Sequence, residues 1–293
     1  MIISASRRCD IPAFGFETFL RSIEAGFVEV RNPFNAASIR RVSLAPADVD
    51  CIVFWTRDPR HLLQGIDRLG ESGERFFVHV TITGYPLALE PGVAPTPDAV
   101  AAVAALARRI GKERIAWRYD PLILAGALDE AFHLSNFASL ADALAGSVSR
   151  VVLSLLDEYA STRGRLEAAG YPSPLFGSPR RAPMPGPENN GEGSSSPPRL
   201  PPAPWPSLLR GLSAIASARG LPIQACAEPF DLGPLGIEAG ACIDGRELGE
   251  LFGFTAPTAK DSGQRIACRC APSVDIGSYG ACPARCVYCY ARR

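Results

Sequence analysis

The chain lacks several of the features that would narrow its function at once. Lysine is nearly absent: of 30 basic residues only Lys112 and Lys260 are lysine, and 30 acidic residues bring the formal net charge to zero. A zero balance excludes the broad basic footprint of a general nucleic-acid binder and leaves only a local basic patch open. The skew towards arginine carries no functional reading. Histidine is scarce, with three residues, and there is no His-Glu-x-x-His helix, ordered Ser, His and Asp triad or phosphate-binding glycine loop. No apolar run reaches the roughly 18 residues of a membrane-spanning helix. The alanine-rich stretch around Val100–Leu106 is closed by Arg108 and Arg109. The opening MIISASRRCD has no apolar segment after a basic start and does not read as a secretory signal. A cytoplasmic chain without membrane contact is therefore expected, and in that reducing compartment cysteines favour metal ligation over disulfides.

What is present is a large apolar fraction, 47% of 293 residues, enough for one big domain or two small ones. Apolar strand candidates alternate with amphipathic helices. Strands are expected at Met1–Ser6, Cys51–Thr56, Phe76–Thr83, Ile115–Arg118, Arg150–Leu155 and Pro222–Cys226. Helices are expected at Ala13–Ala25, Pro59–Leu69, Pro97–Ile110, Glu130–Leu144, Tyr159–Ala168 and Pro206–Arg219, with a short one at Asp244–Phe252. Phe27–Asn32 and Ser38–Leu44 read as an inserted hairpin. Repeated strand-then-helix units require a parallel sheet. No glycine-rich dinucleotide turn follows the first strand, so the expected fold is α/β, a TIM-like (β/α) barrel, partial, with six units. Twelve of the 27 prolines fall between Pro172 and Pro206. That composition cannot bury enough apolar surface to order itself. The organisation expected is thus barrel over 1–171, a disordered insertion over 172–206, the rest of the barrel over 207–254, and a cysteine-rich segment over 255–293.

Barrel enzymes place their chemistry where strands end. Here those ends are polar: Arg7, Arg8 and Asp10; Trp55, Thr56 and Arg57; Thr81 and Thr83; Arg118 and Asp120; Ser154 and Asp157; Glu228. Arg7, Arg118, Asp120 and Glu228 are the candidates for catalytic work, and Thr56 and Thr83 for cofactor contact. Arginines there could clamp a carboxylate or phosphate bidentately; the plainer expectation for Arg118 and Asp120 is an ion pair bracing loops. His79 alternates with Phe77 and Thr81 and reads as a hydrogen-bonded interior residue, His61 and His133 as surface.

The nine cysteines are unevenly spread. Cys9 and Cys51 stand alone, and the other seven lie between Cys226 and Cys289. Cys282-Pro-Ala-Arg-Cys286-Val-Tyr-Cys289 spaces three thiols closely enough for one loop to wrap an iron–sulfur cube, leaving the fourth iron to another ligand. Zinc is the competing metal; unligated structural cysteines are the third alternative. Cys226, Cys242, Cys268 and Cys270 are left over, the number of thiolates in one tetrahedral site. They form either a second centre, iron–sulfur or zinc, or the source of a fourth ligand for the first; for Cys226 and Cys242 a role as small buried hydrophobes stays open.

The Cys-x3-Cys-x-aromatic-Cys triplet, with Tyr288 as the aromatic, resembles the radical S-adenosylmethionine (SAM) signature, and Cys-x-Tyr-Cys-Tyr-Ala is similar to its spore photoproduct lyase-like branch. The resemblance implies a [4Fe–4S] cluster on Cys282, Cys286 and Cys289. It implies SAM on the open iron with the Tyr288 backbone near its adenine, a ferredoxin or flavodoxin as reductant, and a deoxyadenosyl radical acting on a substrate. Neutral charge and the strand-end residues point to a small polar substrate, with nucleic acid left open by analogy with spore photoproduct lyase; a monomer is expected. In that superfamily the signature follows the first strand. Here it lies near the other end, which implies a permuted arrangement with the tail folded over the barrel mouth. No Gly-Gly-Glu follows a second strand. The remainder of the chain resembles a bacterial and archaeal family, domain of unknown function 1848. That resemblance rests on Ser6-Arg7-Arg8-Cys9-Asp10-Ile11-Pro12, Val30-Arg31-Asn32-Pro33-Phe34-Asn35, Asp50–Thr56, Thr81–Tyr85, Trp117–Pro121, Cys226-Ala227-Glu228 and Ser273–Gly277. It implies no reaction. Cys9 stands where a threonine is expected and reads as no ligand. The alternative from a different class is a non-catalytic iron–sulfur or zinc protein for electron transfer, sensing or bracing.

Overall fold

Runs such as Cys51-Ile-Val-Phe-Trp-Thr56 are apolar at every position but the last, which suits a strand covered on both faces. In a computed structural model, which describes residues 1–32, 35–73, 75–157, 159–172, 200–257 and 259–292, these runs form a parallel sheet. In chain order the elements are β1 (Ile2–Ala5), α1 (Ile11–Phe14), α2 (Phe16–Ala25), β2 (Phe27–Asn32), β3 (Asn35–Ser43), β4 (Cys51–Thr56) and α3 (Arg60–Glu71). They continue with β5 (Phe76–Thr81), α4 (Thr96–Ile110), β6 (Ile115–Leu122), α5 (Glu130–Leu144), β7 (Arg150–Leu155) and α6 (Ala160–Ala168). The last are α7 (Trp205–Ser217), β8 (Ile223–Cys226), β9 (Glu238–Gly240), α8 (Gly245–Phe252) and β10 (Val274–Asp275). Aspartates start three of the helices: the Asp10, Asp129 and Asp244 carboxylates accept from Ala13 N, Phe132 N and Arg246 N at 2.9, 2.8 and 3.0 Å.

The sheet has eight strands in the order β10-β1-β4-β5-β6-β7-β8-β9, every pair parallel, and β2 and β3 form the separate antiparallel hairpin. The six expected strands are its centre. Two short edge strands, β9 and β10, are additional; with three and two residues they are too brief to leave a period in the sequence. The two faces differ. One, carrying Ile3, Ile52, Phe54, Val78, Trp117, Val151 and Leu153, packs against apolar stripes of α2, α3, α4, α5 and α7 in the larger core. The other carries Ile2, Cys51, Val53, Phe77, Ala116 and Val152 and encloses a second core with Leu248 of α8 and the thiols of Cys226, Cys242, Cys268 and Cys270.

The expected insertion lies outside the described residues from 173 to 199. After it, α7 starts at Trp205, whose ring is core, one residue before the expected Pro206. Of the histidines, His79 is interior as expected, its Nε2 2.6 Å from the Cys242 carbonyl, and His61 is exposed. His133 is not at the surface. It is fully buried on α5, between the Tyr119 hydroxyl (3.0 Å) and the Ile123 carbonyl (2.9 Å). Those two polar partners make an inward histidine affordable, and neither is visible from the helix period alone.

The tail is tied to the first strand by one carboxylate. Asp275 accepts from Ser4 Oγ (3.0 Å), Ser6 Oγ (2.7 Å), Arg7 N (2.9 Å) and Gly277 N (3.0 Å). A Cβ at Gly277 would come within 1.9 Å of Ser6 Oγ, so glycine is needed for this approach. Asp275→Ala is expected to cost about 2–4 kcal/mol in urea unfolding, since it strands several half-buried donors. Amide exchange should accelerate first in residues 274–292; equal protection in mutant and wild type would show that the tail is held by other contacts.

Candidate functional site

Because all eight strands run parallel, their C-terminal ends share one edge of the sheet. The strand-end residues singled out from sequence lie along it, but several are engaged with one another. Arg118 is buried and donates from Nη1 to Cys242 Sγ at 2.7 Å and from Nη2 to Asp120, which also accepts from the Ser154 hydroxyl. Burial works against the Arg118 charge, but Asp120 and the Cys242 and Cys226 sulfurs hold its pKa well above the usual value. The ion-pair expectation for Arg118 and Asp120 thus describes them. Arg7 gives its backbone N–H to Asp275 and Nη1 to the Ser273 hydroxyl at 3.3 Å. Its guanidinium lies 5.2 Å from the Trp55 ring centroid, and that of Arg118 lies 5.0 Å from the same ring. Glu228 accepts from Leu155 N at 2.8 Å, and burial pushes its pKa up to about 7. The Thr56 hydroxyl bonds the Asp58 carbonyl at 2.9 Å, bracing its own turn.

The seven clustered cysteines fall into two groups. The inner one joins the end of β8 (Cys226), the loop after β9 (Cys242) and the coil after α8 (Cys268 and Cys270), all buried. Cys226 and Cys242 Sγ are 2.9 Å apart. The Cys270 sulfur is hydrogen-bonded by the thiols of Cys226, Cys242 and Cys268, which hold its own pKa below the ordinary thiol value. Backbone N–H groups of Ile243 and Cys270 point at Cys270 Sγ (3.4 Å) and Cys268 Sγ (3.5 Å).

The outer group is the tail loop of Cys282, Cys286 and Cys289. It lies across the β5–α4 loop, joined by Val287 N to Leu89 O (2.9 Å) and Gly92 N to Ala284 O (3.0 Å). A Cβ on Gly92 would be 2.6 Å from Pro283 O, so only glycine lets the two backbones meet. Arg165 of α6 clamps the other side, donating to Val287 O (2.8 Å) and Cys289 O (2.6 Å). Cys282 and Cys289 are half-buried and Cys286 is buried. Burial pushes the Cys286 thiol up to about 11, against the pull of Arg57; burial also raises that of Cys282, against backbone N–H bonds from Asp10 and Ala284. Cys9, set aside on sequence grounds, lies within electrostatic reach of Cys282, which adds weakly to the rise that burial imposes on its thiol pKa. As the side chains stand, no group of three or more His, Cys, Asp or Glu among the described residues is set to hold a metal ion. A cleft of about 470 Å³ adjoins the tail loop, lined by Asp10, Arg57, Arg60, His61 and Ala284 among others.

A family model described as domain of unknown function (DUF1848) matches residues 2–291. The chain belongs to the DUF1848 family. That span includes both thiol groups of this DUF1848 chain. No curated protein matches it. A solved structure described as an endoglucanase aligns over 95% of this chain and 91% of that one, at 13% identity and a TM-score of 0.27, which carries no argument. No helix among the described residues is long and apolar enough to cross a membrane.

Two residues that anchor the DUF1848 tail carry no sequence signal, Glu90 and Arg165. Glu90 is buried, and its Oε1 accepts from Arg57 Nη1 (2.8 Å), Thr83 Oγ1 (2.5 Å) and the Tyr288 hydroxyl. Arg57 donates to Tyr288 as well. The Tyr288 side chain is therefore committed, leaving its backbone for any cofactor contact, and Thr83 serves Glu90. Burial opposes the Arg57 charge, but Glu90 and Tyr288 keep its pKa well above the usual value. Glu90→Gln leaves that guanidinium buried without its counter-charge and is expected to cost about 3–5 kcal/mol. Tyr288→Phe removes only hydrogen bonds and should cost about 1 kcal/mol. Urea midpoints of the two variants measure the difference, and equal losses would deny Glu90 its electrostatic role.

Proposed function

We propose that this chain is an iron–sulfur protein of the radical SAM kind, with Cys282, Cys286 and Cys289 as the cluster ligands and the parallel sheet curved into a partial (β/α) barrel. One observation carries the reading. The triplet loop follows β10, and β10 lies parallel to β1 at the edge of the sheet. Read from that edge, the main-sheet strands β10, β1, β4, β5, β6, β7 and β8 come in cyclic chain order, so the signature follows the first strand of the sheet, as it does in radical SAM proteins. The tail supplies by permutation what those proteins have at the start. The barrel reading is supported by the unequal helical cover, with α2, α3, α4, α5 and α7 on one face and the short α8 closing the core that the other encloses.

The donor set suits a cluster. Three thiols come from one loop, and the Asp10 and Ala284 N–H groups bond the Cys282 sulfur, offsetting part of the rise that burial imposes on its pKa. When bound, a [4Fe–4S] cluster with three protein thiolates supplies an open iron for SAM and, once reduced by a ferredoxin or flavodoxin, the electron that releases a deoxyadenosyl radical. The protein's own residues hold the loop: Arg165 fixes the Val287 and Cys289 carbonyls, and Glu90 with Arg57 fixes Tyr288. At the strand ends Glu228 keeps a carboxyl that can exchange a proton near neutral pH, suited to a small polar substrate.

A second reading rests on Cys9. Its thiol lies within electrostatic reach of Cys282; were it to serve as a fourth ligand, a cluster on four thiolates would be closed to SAM and suited to electron transfer. In anaerobically reconstituted protein, replacing Cys282, Cys286 and Cys289 together with alanine should remove the brown colour and most of the iron. Reduced wild type should change its paramagnetic resonance spectrum on SAM addition and form 5′-deoxyadenosine slowly, and Cys9→Thr should leave both unchanged. Undiminished iron in the triple variant overturns the cluster assignment; a fully loaded protein indifferent to SAM until Cys9 is replaced establishes the second reading instead.

A further inference from the structure

The inner thiols stand apart from the tail loop, and nothing in the cluster reading uses them. They come from three separate segments, the end of β8, the loop after β9 and the coil after α8. Cys226, Cys242, Cys268 and Cys270 all belong to one buried cluster on the enclosed face, packed among Val53, Val152, Ala241 and Ile243. Burying four thiols against each other is a weak use of core volume, because a thiol is a poor hydrogen-bond donor. Two guanidinium groups at the same place, one buried and one half-buried, are harder to explain. Arg118 Nη1 points at Cys242 Sγ from 2.7 Å, and Arg7 acts on Cys270 through its charge, with Nη2 buried and without a hydrogen-bond partner among the described residues. Asp120 neutralises Arg118 alone. Next to four neutral thiols the occluded Nη2 of Arg7 would have neither an acceptor nor a counter-charge.

We infer that Cys226, Cys242, Cys268 and Cys270 form a tetrahedral site for one thiophilic divalent cation, zinc, that pins the coil after α8 over the inner face of the sheet. Four thiolates around a divalent ion carry a net charge of minus two, which Arg7 and Arg118 face. The Ile243 and Cys270 N–H groups aimed at sulfur are donors to the same thiolates. Spacing selects a single ion over a second iron–sulfur cube. Zinc bonded to sulfur at about 2.3 Å separates its ligands by about 3.8 Å, so the 2.9 Å between Cys226 and Cys242 opens by less than an ångström. A four-iron cube would drive the same sulfurs much farther apart within a closely packed core.

The inference is independent of the tail-loop cluster, and metal analysis separates the two. Protein purified without chelator should hold about one zinc per chain besides any iron. The triple alanine variant of Cys282, Cys286 and Cys289 should keep that zinc while losing iron. Cys268→Ser with Cys270→Ser should lower zinc at least about tenfold and leave the iron in place. Since that double variant can fail to fold, wild type loaded with cobalt in place of zinc gives a second measurement: the intense sulfur-to-cobalt and visible bands of a tetrahedral four-thiolate site are expected. Wild type without zinc and with a Cys226–Cys242 disulfide overturns the inference, as does zinc that survives the double substitution, or about four irons per chain in the triple alanine variant.

Discussion

The Asp275 carboxylate is the contact on which the arrangement of this chain depends. It accepts from two serine hydroxyls and two backbone N–H groups, three of them on the β1 strand and the turn that follows. Two residues of β-ladder could not hold a tail of some twenty residues against its entropy. An anionic acceptor shielded from water can, because each bond to it is charge-assisted. Everything beyond residue 275, including the tail-loop thiols, is positioned from that anchor, and the Leu89, Gly92 and Arg165 contacts fix its far end.

The asymmetry of the sheet sets the rest. Helices satisfy one face with ordinary apolar packing, so the other is free to bury polar groups where they have partners. His79 stacks on Trp55 with centroids 4.5 Å apart and reaches the Cys242 carbonyl, and burial together with Arg118 and Arg150 lowers its pKa well below the ordinary value, favouring the neutral ring. Arg118, Asp120 and Ser154 form a continuous chain of hydrogen bonds on the same face. These groups are costly individually and stable as a set.

Much of this was legible in the sequence. Predominantly apolar runs announced the six central strands, and the intervening helical periods announced a parallel sheet. Cysteine spacing alone separated the tail triplet from the other four, and strand ends supplied Arg118 with Asp120. What escaped had physical reasons. β9 and β10 are shorter than any detectable period. His133 turned inward because Tyr119 and Ile123 meet it from other elements. Glu90 lies in a loop whose sequence says nothing about Arg57, Thr83 and Tyr288 converging on it. Cys9 stands where a threonine is expected, and only the fold brings it within electrostatic reach of Cys282.

The order of strands in the sheet also has a consequence in time. A chain is synthesised from its N-terminus, and the elements made first can pair first. β1, β4, β5, β6, β7 and β8 all precede the first inner-coil thiol, Cys268, and the tail loop comes later still. The edge of β1 that receives β10 is thus built early and stays open until the tail arrives. Thiols that emerge last meet a formed surface, with Ser4, Ser6 and the Arg7 N–H already in line for Asp275, rather than a loose chain in which closely spaced cysteines could pair wrongly or capture metal out of register.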